Sequence, residues 1–204
     1  MILQKIIDRV WIPFVTKLYT RTNCLKCKLY HVEVGIHFKT RGIIYFKNYG
    51  KIKIGNHVTM NSASWANPIG LGDRMYFQIF QGASVTIGDN TGISNTAITS
   101  MESIKIGNHV LIGAGCKIFD TDFHPLETEY RYGKYKNDNK VRKRSIVIED
   151  GVFIGGGSFI LKGSHIGKNS IIGAGSVVVG KIPPNEIWAG NPAKFIRKID
   201  EATD

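Results

Sequence analysis

The sequence predicts an all-β fold, a parallel solenoid of three-sided turns, on three observations. Isoleucine or valine recurs at every sixth residue, the fourth place after each such head is mostly small, and glycine directly follows many heads. The run is unbroken from Ile148 through Ile154, Ile160, Ile166 and Ile172 to Val178. Four places on stand Val152, Ser158, Ser164, Ser170, Ser176 and Ile182, while Gly155, Gly167 and Gly173 follow their heads. Short strands whose side chains alternate in and out, joined by tight corners, account for the pattern. A helix does not, because heads six apart drift off one face at 3.6 residues per turn. A period of six places one short strand on each of three sides. No such turn buries itself alone, so turns must stack and both open ends need caps.

Upstream the pattern resumes as Ile106, Ile112 and Ile118, with Val110 and Cys116 at the small places, and again as Ile87, Ile93 and Thr99. The step from Thr99 to Ile106 is seven, which implies a bulge or bent corner able to re-aim a side chain. Ile54-Gly55-Asn56-His57-Val58 is a less regular copy, and no phase holds between residues 56 and 84. Between Ile118 and Ile148 the chain abandons the pattern in FDTDFHPLETEYRYGKYKNDNKVRKRS, which has no Ile-Gly head. A structureless segment of about 26 residues in a compact domain usually serves function. The expected organisation is an N-terminal cap over residues 1–50, a coil over 51–199 with a loop extruded at about 119–145, and a short tail at 200–204.

The chain's 204 residues, 43% hydrophobic and 21% charged, fit one soluble globular domain. The net charge of +11 is concentrated. Seven cations between Arg131 and Arg144 face Asp138 alone, which makes +6 of the total. Tyr130, Tyr132 and Tyr135 interleave with them, so a scaffold or nucleic-acid reading exists. A solvated loop beside an anionic ligand is the simpler account, and no nucleic-acid partner is expected. Cys24 and Cys27 form a CxxC without a second pair, too little for a zinc site or a disulfide framework, and packing explains Cys116. No stretch approaches the length of a membrane span and the start lacks a signal-peptide cleavage site, so a cytoplasmic protein is expected. The opening MILQKIIDRVWIPFVTKLYTR reads as an amphipathic helix interrupted near Pro13, with basic residues beside Trp11 and Phe14. It either caps the first coil or rests on a membrane surface as a peripheral contact.

Three segments together carry a resemblance: IEDGVFIGGGSFILKGSHIG, the tail IGAGSVVVGKIPPNEIWAGNPAKFIRKI over residues 172–199, and the loop start DTDFHPLE. With them the chain resembles the hexapeptide-repeat acyltransferases, and within these the galactoside, maltose and capsular or lipopolysaccharide O-acetyltransferases. The likeness covers residues 85–199 and hardly touches the first 50. It implies a left-handed parallel β-helix, a homotrimer, and acetyl-CoA bound in clefts between subunits as the acetyl donor, with no metal. It also implies transfer to a hydroxyl of a sugar or polysaccharide precursor.

The family's loop histidine looks like His124. A base must take the hydroxyl proton as oxygen attacks the thioester, and an imidazole with a pKa near 6.5 can do so at neutral pH. Of the other histidines, His57 and His109 share one corner place in Ile-Gly-Asn-His-Val, His165 precedes a head, and His31 and His37 lie in the irregular start. By position in the family's motifs, the cofactor groove falls on Gly156, Ala174, Val179 and Gly180, and the nucleotide phosphate on Lys194 and Arg197. Asn95 lies in the region that approaches the acceptor in relatives, although a corner asparagine ladder explains it equally. Asp122 either orients the imidazole or serves a turn. Two departures stand out: Phe153 where the family usually has Trp, and Val179-Gly180-Lys181 where it often reads Thr-Lys-Asp. The first keeps an aromatic wall without the indole N–H, and the second loses a side-chain contact or moves it to Lys181. N-acetylation of an amino sugar or sugar nucleotide on the same scaffold is the nearest alternative. A zinc-dependent carbonic anhydrase relative needs three converging histidines, and His109, His124 and His165 lack its spacing.

Overall fold

The computed structural model describes residues 7–70, 72–132 and 137–199. The first six residues of the N-terminal helix, Lys134, Tyr135 and Lys136 of the basic segment, and the tail 200–204 lie outside the described residues.

Three parallel sheets form the walls of a triangular coil. The first runs from Val32–Val34 to Lys181–Ile182, the second from Lys39–Gly42 to Glu186–Ala189, and the third from Tyr45–Asn48 to Val177–Val178. Lys194–Lys198 folds back antiparallel on Glu186–Ala189 and closes the C-terminal end of the second sheet. In register, Ile148 pairs with Ile166, Ile154 with Ile172 and Ile160 with Val178, in each case the third head further along the chain. Three hexads thus make one turn. The heads stack as inward columns that are fully buried, and the small residues Val152, Ser158, Ser164, Ser170 and Ser176 are buried beside them. Each buried Ile or Val side chain contributes about 1.5–3 kcal/mol by leaving water, so stacked turns supply what one turn lacks.

Each corner solves the same problem, a reversal of chain direction that exposes backbone N–H groups. Between the first and second sheets the residue three places after the head is left-handed in every turn: His57 at φ 56°, Asn90 at 56°, His109 at 54°, Gly151 at 72° and Asn169 at 61°. Asn, His and Gly tolerate that region, which explains the Asn-His-Val copies without any chemistry for His57 or His109. Side chains seal this corner as a ladder. Asp150 accepts the Asn108 N–H at 2.7 Å, Asn108 the Asp89 N–H at 2.8 Å, and Asp89 the Asn56 N–H at 2.7 Å.

The two other corners carry outgrowths. Ile54 pairs with Ile87, well beyond the third hexad, because residues 63–75 leave between the second and third sheets. Ile106 pairs with Ile148, further off still, because the chain leaves after Phe119 and returns at Ile146, between the third and first sheets. The first outgrowth is the reason no phase could be held between residues 56 and 84.

Two readings of the repeat need correction. The head on the third face is Ile98, not Thr99, since Ile118 pairs with Ile98 and Ile98 is fully buried. The corner after Ile93 is therefore one residue short, with Asn95 at φ 45°, and the enlarged corner is at Met101 and Glu102. Asp120, fully buried, holds that enlarged corner. Its carboxylate accepts the Ser100 hydroxyl at 2.7 Å and the N–H groups of Met101 at 2.7 Å and Glu102 at 3.0 Å. Ile182, placed by its spacing among the small residues, instead pairs with Ile166 and is the head of the last first-sheet strand, reached by a shortened corner after Val178.

The N-terminal helix has the expected irregularity near Pro13. A π-helical turn, Ile7–Trp11, leads into an α-helix over Ile12–Leu29. Trp11 is already helical at φ -68° and ψ -50°, so Pro13 falls just after the change from π to α geometry, where its missing N–H breaks the helical ladder. The helix lies on the first turn of the coil through buried Asn23, whose amide donates to Thr40 Oγ1 and the Gly42 carbonyl at 2.8 Å and accepts the Ile44 N–H at 3.1 Å. Cys27 is buried beneath it, and burial pushes its thiol up to about 12, opposite to the lowered pKa of a reactive thiolate.

Candidate functional site

Both outgrowths border the third sheet, from opposite edges. At its C-terminal edge the chain turns out after Lys117–Phe119. Phe123 takes φ 62° and packs its ring 5.3 Å from Phe119, which meets Phe159 edge-on at 6.5 Å. This aromatic step presents His124 to solvent. The His124 N–H donates to the Asp122 carbonyl at 2.7 Å, and the adjacent Pro125 is buried, so the backbone is pinned on both sides of the imidazole. The ring itself makes no hydrogen bond among the described residues. Asp122 pairs through one carboxylate oxygen with Lys162 of the next turn at 2.7 Å, while its other oxygen is buried with no partner. Val179 and Gly180 follow the third-sheet strand Val177–Val178 at this same edge, both exposed. Gly180, at φ 86°, has nothing within 4 Å of where a Cβ would stand.

The N-terminal edge gathers a different set. Here the Gly115 N–H donates to the Asn95 carbonyl at 3.0 Å, Gly157 to Ala114 at 2.8 Å and Gly175 to Gly156 at 2.9 Å. Asn95, Gly156 and Ala174 therefore lie along one corner. A Cβ at Gly156 would approach the Ala114 carbonyl oxygen to 2.9 Å, so close stacking of turns already demands glycine there. Asn95 is not part of a side-chain ladder. Its amide nitrogen donates to the Asp73 carbonyl on the first outgrowth, and its Oδ1 is buried without a partner.

Beside Asn95 opens a cleft of about 360 Å³, hidden in the sequence because it joins Asp73, Arg74 and Tyr76 of the segment without a phase to Tyr45, Asn95, Ala97 and Lys117 from other turns. Tyr45 and Tyr76, cross-strand neighbours, stack at 5.9 Å, and Arg74 lies 5.8 Å from the Tyr45 ring. Lys117 bridges the cleft floor to Asp73 at 3.1 Å. The signal available in the sequence was the pair Tyr-Phe at 45–46 and 76–77, with each Phe inward and each Tyr outward.

Lys194 and Arg197 are exposed on the closing strand Lys194–Lys198, attached to the second sheet. Phe153 stands on the outer face of that sheet between Leu111 and Ile171. The predicted residues thus fall into two groups on either edge of the third sheet, with the tail cations on the adjoining wall. One copy does not bring His124 onto the edge that holds Gly156 and Ala174.

Three described cations of the basic segment are engaged within the fold. Arg142 pairs with Glu127 at 3.1 Å, Lys143 donates to the Met101 carbonyl at 3.2 Å, and Lys140 covers the Tyr130 ring at 5.4 Å. His165 is bound to Glu149 at 2.6 Å on the first sheet, His109 occupies the sealed corner, and His124 stands on the loop. The three do not converge, and no cluster of three metal-ligating side chains occurs among the described residues. No helix among them is long and apolar enough to cross a membrane.

Residues 145–180 match the family described as bacterial transferase hexapeptide (six repeats). A putative lipopolysaccharide biosynthesis O-acetyl transferase of Escherichia coli K12 is 30% identical over 172 residues, 78% of each chain. A putative acetyltransferase of Saccharomyces cerevisiae is 41% identical over 121 residues, and the match spans 59% of each chain. Among solved structures, a hexapeptide-repeat acetyltransferase from Vibrio cholerae complexed with acetyl coenzyme A aligns at TM-score 0.52 and 33% identity, covering 61% of this chain and 66% of that one. A galactoside acetyltransferase in complex with coenzyme A aligns at TM-score 0.55 and 27% identity over 87% and 70%. The coil is accordingly the left-handed β-helix that the resemblance implied. Stacking of every third head, two outgrowths flanking one sheet and a relative matched along most of both lengths lead to one conclusion: this chain belongs to the hexapeptide-repeat acyltransferases.

Proposed function

We propose that this chain is an acetyl-CoA-dependent O-acetyltransferase that moves an acetyl group onto a hydroxyl of a sugar or polysaccharide precursor. The carrying observation is the exposed, backbone-pinned His124 on one edge of the third sheet, in a chain similar to a lipopolysaccharide O-acetyl transferase and a galactoside acetyltransferase over most of its length. His124 takes the proton of the acceptor hydroxyl as its oxygen attacks the thioester carbonyl. The tetrahedral adduct collapses, the C–S bond breaks, and the imidazolium returns the proton to the departing thiolate. The histidine ends as it began, with no acyl-enzyme.

Gly156, Ala174, Val179 and Gly180 line the donor groove, and Lys194 and Arg197 meet the nucleotide phosphate. Asn95 and Asp122, each with a buried oxygen that has no partner in one copy, border the acceptor position. Because the base and part of the groove lie on opposite edges of one sheet, the site is completed between copies. A homotrimer, with each copy setting its loop edge against a neighbour's glycine edge, does this by three-fold symmetry. A cytoplasmic location fits an acetyl-CoA donor.

The test is turnover of acetyl-CoA with a panel of sugars by wild type and His124→Ala. Loss of a general base lowers kcat by about 10²- to 10⁴-fold, and unchanged turnover sinks the assignment. An amino sugar compared with its hydroxyl counterpart separates O- from N-transfer, and native mass determination tests the trimer.

A further inference from the structure

The N-terminal helix is oriented against the usual rule for a helix on a protein surface. The face turned to the coil is polar or small: Asn23 and Cys27 are buried, with Thr16 and Thr20 beside them. The opposite face carries Trp11, Phe14, Leu18, Leu25 and Leu29, each 54–73% exposed. At 3.6 residues per turn Phe14, Leu18, Leu25 and Leu29 fall in one stripe about 22 Å long on the side away from Asn23 and Cys27, and Trp11 stands on the π-helical turn before it. An aligned apolar stripe of this size, outside any core, marks a contact surface.

Two observations indicate what covers it. Exposed Lys17, Arg21 and Lys28 flank the stripe, and no acidic residue occurs from Arg9 to Tyr30. Between the helix and the first turn lies a groove of about 470 Å³ lined by Lys17, Arg21, Lys39 and Arg41, again without a carboxylate. Arg41 is aimed by a hydrogen bond to Asn61 Oδ1 at 3.2 Å, and Thr16 Oγ1 at the groove is buried without a partner. Four cations and a hydroxyl around one groove suit a phosphate. The surrounding face calls for an apolar layer under an anionic surface.

We propose that this face docks on an anionic lipid bilayer, with the stripe in the acyl boundary and the groove on a lipid phosphate. A second copy of the same face is disfavoured, since it would set cations against cations. Trp11 and Phe14 at the amino-terminal end match the interfacial preference of aromatic rings. This placement is independent of the acetyl-transfer site, which lies on the outgrowth edges of the third sheet.

The full chain is sedimented with vesicles of phosphatidylcholine alone and with phosphatidylglycerol added. Binding is expected only to the anionic vesicles and is weakened by salt. Leu18→Glu with Leu25→Glu lowers it about tenfold or more, and Lys17→Glu with Arg21→Glu removes the preference for anionic lipid. Both pairs are surface positions, so the melting temperature and turnover with a soluble acceptor stay unchanged. No binding to anionic vesicles, equal binding to both compositions, or full binding by the Leu18→Glu, Leu25→Glu variant overturns the proposal. So does a change of oligomeric state in that variant without vesicle binding, which would assign the face to a second copy.

Discussion

The turns from Ile146 to Val178 and those from Val32 to Phe119 use the same walls but differ in how their corners are held. In the C-terminal turns each head pairs with the third head after it, and the hydroxyls of Ser158, Ser164, Ser170 and Ser176 share the corners, each donating to a nearby carbonyl. Ser158 Oγ, for instance, donates to the Gly155 carbonyl at 2.8 Å and accepts the Ser176 N–H at 3.3 Å. In the N-terminal turns the spacing drifts, and single side chains close corners of unusual length. Asp120 serves three donors at the long corner, while Asn95 sits in the short one. Regular corners therefore distribute their hydrogen bonds, whereas irregular corners depend on one residue and leave room for outgrowths. The candidate site is built where regularity fails.

The largest expected effect tests that dependence. Asp120→Ala leaves the Ser100 hydroxyl and the Met101 and Glu102 N–H groups without their acceptor, which costs about 3 kcal/mol or more in urea unfolding. Because the loop starts at Asp120, turnover falls with it. If Asp120→Ala unfolds like wild type, the contrast between the two kinds of corner is wrong. Next comes Ser158→Ala in a regular corner, expected to cost about 1 kcal/mol by the same measurement. A loss equal to that of Asp120→Ala would mean regular corners are no better shared.

The smallest effect sharpens the picture of the first sheet. The hydrogen bond from His165, aided by the Lys168 N–H, holds the Glu149 carboxyl below its ordinary value of 4.5. A lowered folded-state pKa gives stability that is present above the unfolded value and is lost as pH falls through the folded one. Glu149→Gln is therefore less stable than wild type at neutral pH by about 0.5 kcal/mol, the scale of an exposed pair, and the two converge below pH 4.5. Unfolding midpoints across that range check it. A difference that persists in acid assigns the loss to packing instead.

Much of the architecture was readable because a coil of hexads is a local code. An Ile every sixth place, a serine four places on and an Asn or His at the left-handed corner place are each dictated by the turn containing them. The loop of His124 was legible as the stretch where that code stops. The slip from Ile98 to Thr99 shows where local reading fails. Either residue can head a strand, and only pairing with Ile118 decides which points inward. The outgrowth at residues 63–75 was hidden for the same reason, having no period to break.

By itself, then, the sequence determined the three-sided coil, its strict C-terminal turns and the loop with its histidine, because each follows from interactions within one turn or between a turn and the next. Tertiary structure alone decided that Asn95 and Gly156 share one edge and His124 the other. It also turned the apolar stripe of the first helix outward and joined Tyr45, Tyr76 and Lys117 into one cleft. Those outcomes depend on which turns stack and on which face of the helix the coil accepts, neither of which is written in any single repeat.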